Sequence, residues 1–185
     1  MHGFVTRTTQ DIDLFTEVDD TEAIQVAHAL RISLEEHGLQ VRDAERPPLD
    51  HRFVVSDPTT NRECTVVVFP DGGRLRKLVV LDIGPVLHPD DLAADKLLAL
   101  WGRARPRDFY DVHALLNRYD SERLLQLAGA KDAGFTVATL LDALNAINRL
   151  TDHDWAEDGI NASAIPELRR TFDDWHRTIS NPPGN

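Results

Sequence analysis

The sequence predicts an α+β fold, with one helix against a small mixed sheet and then a helical lobe. Three observations carry this. Before Gly84, β-branched and apolar residues gather in short strand-like runs bounded by turn residues. After Pro89 they recur at helical spacing instead. Between the two regimes, Gly84-Pro85 and His88-Pro89 break the chain. The expected division is a core over residues 1–88, a helical lobe over 89–180 and a disordered tail over 181–185.

The first expected strand is Asp-Ile-Asp-Leu-Phe-Thr (11–16). Strand side chains alternate between faces, so Asp11 and Asp13 should point the same way while Ile12 and Leu14 enter a core. Asp19-Asp20-Thr21 supplies N-cap candidates for a helix in which Ile24, Ala27, Leu30 and Leu34 recur at helical spacing, and His37-Gly38 closes it. Further strands are expected over Leu39–Ala44, His51–Ser56, Thr65–Phe69 and Lys77–Ile83. In the lobe, Asp90 or Asp91 should cap a helix over about 92–102, and Pro106 should open one reaching about Tyr119. Helices are also expected at about 121–129, 136–149 and 164–179, with Trp155 and Trp175 packed among them.

At 185 residues the chain has enough length for a core, and one cysteine, Cys64, excludes both an intramolecular disulfide framework and a Cys-rich zinc site. No apolar run approaches a membrane span, so a cytoplasmic protein with no membrane partner is expected. A net charge of −11 argues against a general nucleic-acid coat. The charge is uneven, however: −7 over residues 1–50, +2 over 51–107 and −6 over 108–185. The middle stretch holds Arg74, Arg76, Lys77, Lys96, Arg103, Arg105 and Arg107, a basic supply suited to phosphate groups or to ordinary surface pairing.

Two carboxylates on one strand face repel unless a cation lies between them. Hard oxygen donors of this kind suit Mg²⁺, which takes one or two protein carboxylates plus phosphate oxygens. Asp-x-Asp triplets also occur in solvated turns, so Asp11 and Asp13 need support from elsewhere. On the first lobe helix Lys96 and Arg103 are seven apart and share a face. On the next, Arg107 and Asp111 are four apart, the spacing of a simple surface pair, with Asp108 beside them. The functional reading has Lys96 neutralising a triphosphate and Asp108 and Asp111 orienting groups around it.

Together these pieces resemble the AbiEii/AbiGii (MenT-like) family of nucleotidyltransferase toxins. The resemblance rests on His-Gly-Phe-Val-Thr-Arg-Thr-Thr-Gln-Asp-Ile-Asp-Leu-Phe-Thr (2–16), Gly-Pro-Val-Leu-His-Pro-Asp-Asp-Leu-Ala-Ala-Asp-Lys (84–96) and Leu-Trp-Gly-Arg-Ala-Arg-Pro-Arg-Asp-Phe-Tyr-Asp-Val (100–112). It implies a polymerase-β-like nucleotidyltransferase core followed by a helical C-terminal lobe. It also implies that Asp11 and Asp13 hold Mg²⁺ and the NTP, that Lys96 contacts the triphosphate, and that Asp111 completes the site with Asp108 beside it. Arg7 and Thr9 would flank the metal strand, and Arg103 and Arg107 would contact nucleotide or RNA. The implied activity is nucleotide addition to the 3′ end of tRNA, which blocks aminoacylation, restrained by a cognate antitoxin. In some relatives the antitoxin phosphorylates a Ser/Thr before the first metal aspartate. Thr9 is the matching position and Thr8 the alternative.

The chain departs from the family pattern in two places. The family has a Gly-Gly or Gly-Ser turn upstream of the metal strand, where backbone N–H groups approach the triphosphate. None of the ten residues before Asp11 forms it, so the core is expected to lack its first elements. The third carboxylate of the wider fold has two candidates, Asp82 and Glu63. These departures leave a second expectation: a catalytically impaired protein of this fold that binds nucleotide, RNA or a partner protein.

Overall fold

A computed structural model of the chain describes residues 11–44, 51–70 and 73–181. They group into two compact units, one running up to Gly73 and the other starting at Arg74. The expected tail over 181–185 lies, apart from Asn181, outside the described residues.

The first unit holds β1 (Asp11–Thr16), α1 (Asp20–Glu36), β2 (Gln40–Asp43), β3 (Arg52–Asp57) and β4 (Arg62–Pro70). Asp19 caps α1 by accepting from the Glu22 N–H at 3.0 Å, and Gly38 follows its end at φ 82°, a left-handed conformation that glycine takes without strain. The four strands form one sheet in the order β1-β4-β3-β2. Strands β2, β3 and β4 make an antiparallel meander, and β1 lies parallel to β4. Strands β1 and β2 therefore run the same way, joined through α1, with two strands between them.

Register assigns the faces. Asp11 stands opposite Thr65, Ile12 opposite Val66, Asp13 opposite Val67 and Leu14 opposite Val68. Val66 and Val68 belong to a buried cluster with Ala27, Phe53 and Val55, closed by Leu30, Leu34, Leu39, Val41 and Cys64. Each large side chain fully buried there contributes about 1.5–3 kcal/mol. Ile12 and Leu14 thus share the core's face, yet they do not enter the core: Ile12 is 48 % exposed and Leu14 38 %. The reason is position. Strand β1 is at the sheet's edge among the described residues, and α1 packs chiefly on β4 and β2. Cys64 is half-buried on β4, and burial, then the charge of Asp11, pushes its thiol up.

The turn between β3 and β4 is pinned by Asp57. Its carboxylate accepts from the Thr59 N–H at 2.8 Å, the Thr59 hydroxyl at 2.7 Å and the Thr60 hydroxyl at 2.8 Å, while Asn61 takes φ 53°. The Thr59 side-chain bond, then the Thr59 and Thr60 contacts with it, lower the Asp57 pKa from 3.8 to about 2. A depressed acid stabilises the fold above its unfolded pKa and loses that contribution as pH falls through the folded value. A carboxyl NMR titration should therefore show Asp57 with a midpoint near 2. Thr59→Ala should move it back towards 3.8; an unchanged midpoint would remove Thr59 as the cause.

The second unit opens with a hairpin, β5 (Val79–Leu81) against β6 (Gly84–Val86), and continues with α2 (Pro89–Arg103), α3 (Pro106–Leu116), α4 (Ser121–Lys131), α5 (Val137–Asn145), α6 (Asp152–Glu157) and α7 (Ile165–Ser180). The long strand expected over Lys77–Ile83 shrinks to three residues, and Gly84-Pro85 is not a break but the first two of the three residues of β6. Gly84, at φ 108°, lets the chain reverse there, which leaves Val80 77 % and Ile83 73 % exposed. Asp90 and Asp91 do not cap α2. His88 does, its Nδ1 accepting from the Asp90 N–H at 3.0 Å. Helix α3 stops at Leu116 rather than Tyr119, and the helix expected over 136–149 ends as a 3-10 turn after Asn145. Helix α6 was not expected; Thr151 and Asp154 form a capping box at its start.

The lobe's core gathers Leu97, Leu100, Phe109, Val112, Leu140, Ile147, Trp155, Phe172 and Trp175 among its buried side chains. Phe109 meets Phe172 edge to face, with ring centroids 5.0 Å apart, and lies 6.4 Å from Trp155. Below the helices, residues 74–76 are fastened by Asp91, whose fully buried carboxylate accepts from the Leu75 N–H at 2.8 Å and the Arg76 N–H at 3.0 Å. Lys131 reaches the same carboxylate at 3.2 Å and Asp95 at 2.9 Å. Burial pushes the Asp95 carboxyl up, with Lys131 opposing.

Candidate active site

Each unit carries one half of the expected constellation. In the first, the alternation of β1 puts Asp11 and Asp13 on the sheet face opposite the α1-covered cluster, and both are exposed. Register adds Glu63, Thr65 and Val67 of β4 to that face. Glu63, one candidate for a third acid, is held by Arg42 at 3.1 Å. Asp82, the other, is exposed in the turn of the β5–β6 hairpin, in the other unit. Among the described residues no group of three or more His, Cys, Asp or Glu side chains forms a metal cage. Two exposed carboxylates on one face, offering only hard oxygen donors, fit Mg²⁺, a cation that keeps several waters and takes further oxygens from a phosphate. Arg7, Thr8 and Thr9 lie outside the described residues.

In the second unit, Lys96 and Arg103 share a face of α2 and both turn to α3. The Lys96 ammonium meets the Asp111 carboxylate at 2.8 Å. Arg103 clasps Asp108 in two-pronged fashion, Nε at 3.0 Å from Oδ2 and Nη2 at 2.8 Å from Oδ1. Both acids are 2 % exposed, whereas the side chains of Lys96 and Arg103 are 33 % and 47 % exposed. The pairing at i, i+4 between Arg107 and Asp111 is not made; Asp111 takes Lys96 instead. Asp108 also accepts from the Arg105 N–H at 3.0 Å, so it fixes the corner between α2 and α3. Hydrogen bonding to Asp108 raises the Arg103 guanidinium further above its ordinary range; burial opposes this, and the charges of Asp108, Asp111 and Asp158 add to it.

Asp158 was not among the expected residues. Its carboxylate accepts from the Arg107 N–H at 3.1 Å, at the first turn of α3 and 51 residues away in sequence. An acid there offsets an orphan N–H and the positive end of the helix. No local pattern marks it, because its partner comes from a distant helix start. The Ala104 backbone, at φ 47°, ends α2 in a left-handed turn, and Pro106 starts α3 immediately after. The result is a sharp corner that presents Arg103, Arg105 and Arg107 within five residues.

No helix among the described residues is long and apolar enough to cross a membrane. A family model described as nucleotidyl transferase AbiEii toxin, type IV toxin–antitoxin system, matches residues 69–177. No curated protein matches the sequence. Among solved structures, the chain is similar to the nucleotidyltransferase toxin MenT4 from Mycobacterium tuberculosis H37Rv, at 18 % identity and a TM-score of 0.57, covering 98 % of this chain and 72 % of that one. That likeness shows a shared fold, the nucleotidyltransferase fold with its helical lobe. The family match spans more than half of the residues, and the chain belongs to the AbiEii family of nucleotidyltransferase toxins.

Proposed function

We propose that this chain transfers nucleotides from an NTP to the 3′ end of tRNA and so blocks aminoacylation. The observation that carries the reading is the placement of Asp11 and Asp13 on one exposed face of a strand held parallel to β4. In the reaction the terminal hydroxyl oxygen of the RNA forms a bond to the α-phosphorus. The bond from that phosphorus to the β-phosphate's bridging oxygen breaks, pyrophosphate leaves, and the hydroxyl proton passes to solvent. Bound Mg²⁺ supplies Lewis-acid stabilisation of the phosphate charge. Asp11 and Asp13 hold it. Lys96 offsets charge on the triphosphate, and Asp111, 2.8 Å away, orients that ammonium. Asp108 orients Arg103. A cognate antitoxin restrains the toxin, and phosphorylation of Thr9 would set a doubly charged group two residues from Asp11, opposing NTP binding.

The test is label transfer. Wild-type protein incubated with α-labelled NTPs and a tRNA pool should label the RNA. The signal should vanish in EDTA, return with Mg²⁺, and fail on RNA whose terminal ribose has been oxidised by periodate. Label that survives EDTA would remove the metal from the reading, and no label with any NTP would sink the reading itself. A second reading, a binder of nucleotide or RNA without transfer, is favoured by one observation: no third acid joins Asp11 and Asp13 among the described residues. It predicts growth arrest that Asp11→Ala leaves intact.

A further inference from the structure

We propose that Arg52 of β3 binds the phosphate chain of the nucleotide, as the cationic counterpart of Asp11 and Asp13 on their own sheet face. The proposal rests on the nucleotidyl-transfer reading above and deepens it, because that reading draws no charge from β3. Register places the side chain. Phe53 lies opposite Val66 and is completely buried with it in the cluster beneath α1. Its neighbour Arg52 therefore belongs to the other face, opposite Val67 of β4, and Val67 is in turn opposite Asp13 of β1. Asp13, Val67 and Arg52 thus form one row across three strands. Strands lie about 4.8 Å apart, which separates the Asp13 and Arg52 backbones by about 10 Å. Two side chains rising from one face across that interval leave room for a phosphate group between them.

The arginines of this unit are committed unequally. Arg42, on the same face as Arg52, pairs with Glu63 at 3.1 Å. Arg31, on α1, bonds Asp43 at 2.7 Å and lies over the Phe53 ring on the opposite face. Arg52 differs from both: its Nε is buried and has no hydrogen-bond partner among the described residues. A donor withdrawn from water without an acceptor is costly, and a phosphate oxygen that accepts from it offsets that cost. The surface beside Arg52 is apolar. Val67, in its row, is 2 % exposed, and Val54, next along β3 on the same face, is 9 % exposed. Charges beside such a floor attract more strongly than they do in open water. A phosphate chain carrying Mg²⁺ meets both ends of the row. The acids hold the cation, and oxygens of the chain accept from the planar fork of the guanidinium.

Two titrations of the full chain, both without RNA, test the assignment. One adds Mn²⁺ alone and follows the free-ion EPR signal. The other adds each of the four NTPs in Mg²⁺ and is read by calorimetry. Arg52→Gln removes the charge and keeps most of the length. It should weaken NTP binding about tenfold or more. It should bind Mn²⁺ alone at least as tightly as wild type, because a positive charge has left the acids' face. Arg52→Lys keeps the charge without the fork and should fall between the two for NTP. Arg62→Gln, at an exposed arginine of β4 on the opposite face, should stay within about twofold of wild type in both titrations. The opposite signs exclude simple damage to the fold, which would weaken both. Unchanged NTP affinity in Arg52→Gln would overturn the proposal, as would a parallel loss of Mn²⁺ and NTP binding or a wild-type protein that binds no NTP. The two readings fail separately. NTP binding that depends on Arg52, with no label passed to RNA, would leave the assignment standing and sink the transfer reading. Label transfer that Arg52→Gln leaves intact at subsaturating NTP would do the reverse.

Discussion

Alanine at Asp13 is expected to reduce nucleotide transfer about a thousandfold while leaving the fold intact. The side chain is exposed, and β1 pairs through its backbone with Val66, Val67 and Val68 of β4. A substitution at such an exposed position should change stability by no more than about 0.5 kcal/mol. Asp13→Asn keeps the volume and removes the charge, and it should lose nearly as much activity as the alanine. Asp11→Ala should behave alike. Single-turnover transfer at saturating NTP, with thermal melting as the control for folding, makes the measurement. Retention of a tenth of the wild-type rate by both alanine variants would remove these carboxylates from the chemistry.

The largest expected effect on stability lies at Asp91. Its carboxylate is completely buried and takes four roles at once, accepting from two backbone N–H groups, bonding Lys131 and packing beside Asp95. Asp91→Ala leaves the Leu75 and Arg76 N–H groups without that acceptor and a nearly buried ammonium with only one of its carboxylates. Breaking a buried pair by removing one partner costs about 3–5 kcal/mol. At this chain length that lowers the melting temperature by about 10 °C. The double variant Asp91→Ala, Lys131→Met removes the stranded charge as well and should recover part of the loss. Chemical denaturation of the three proteins tests this. A single-variant loss under about 1 kcal/mol would show that water takes over the role of the carboxylate.

What was legible in the sequence follows how local the signal was. Strand β1 and its shared carboxylate face could be read because alternation is a property of adjacent residues. Helix α1 could be read from Asp19 and Gly38, and α3 from Pro106, since each cap acts within one turn. His88 escaped because an imidazole acceptor is an uncommon cap and two aspartates follow it directly. The β5–β6 hairpin escaped because Gly84-Pro85 signals a turn, and only pairing with Leu81 and Val80 makes it a strand. Helix α6 is six residues long, too short for helical periodicity to register. Within the candidate site, the common face of Lys96 and Arg103 follows from their spacing. Their choice of Asp111 and Asp108 does not, because it depends on how α2 and α3 cross. Asp91 and Asp158 were invisible for the same reason: their partners lie 16, 40 and 51 residues away.

The parallel seating of β1 has a dynamic consequence. Strands β2, β3 and β4 form a meander, whereas among the described residues β1 pairs with one strand, β4, and its apolar side chains Ile12, Leu14 and Phe15 stay 38–48 % exposed. Local opening is easiest where little apolar surface is lost. Strand β1 is therefore expected to open ahead of the meander, taking both carboxylates with it. Amide hydrogens of residues 12–15 should exchange faster than those of residues 65–68. Strand β1 then has its own equilibrium, zipped or open, apart from that of the meander.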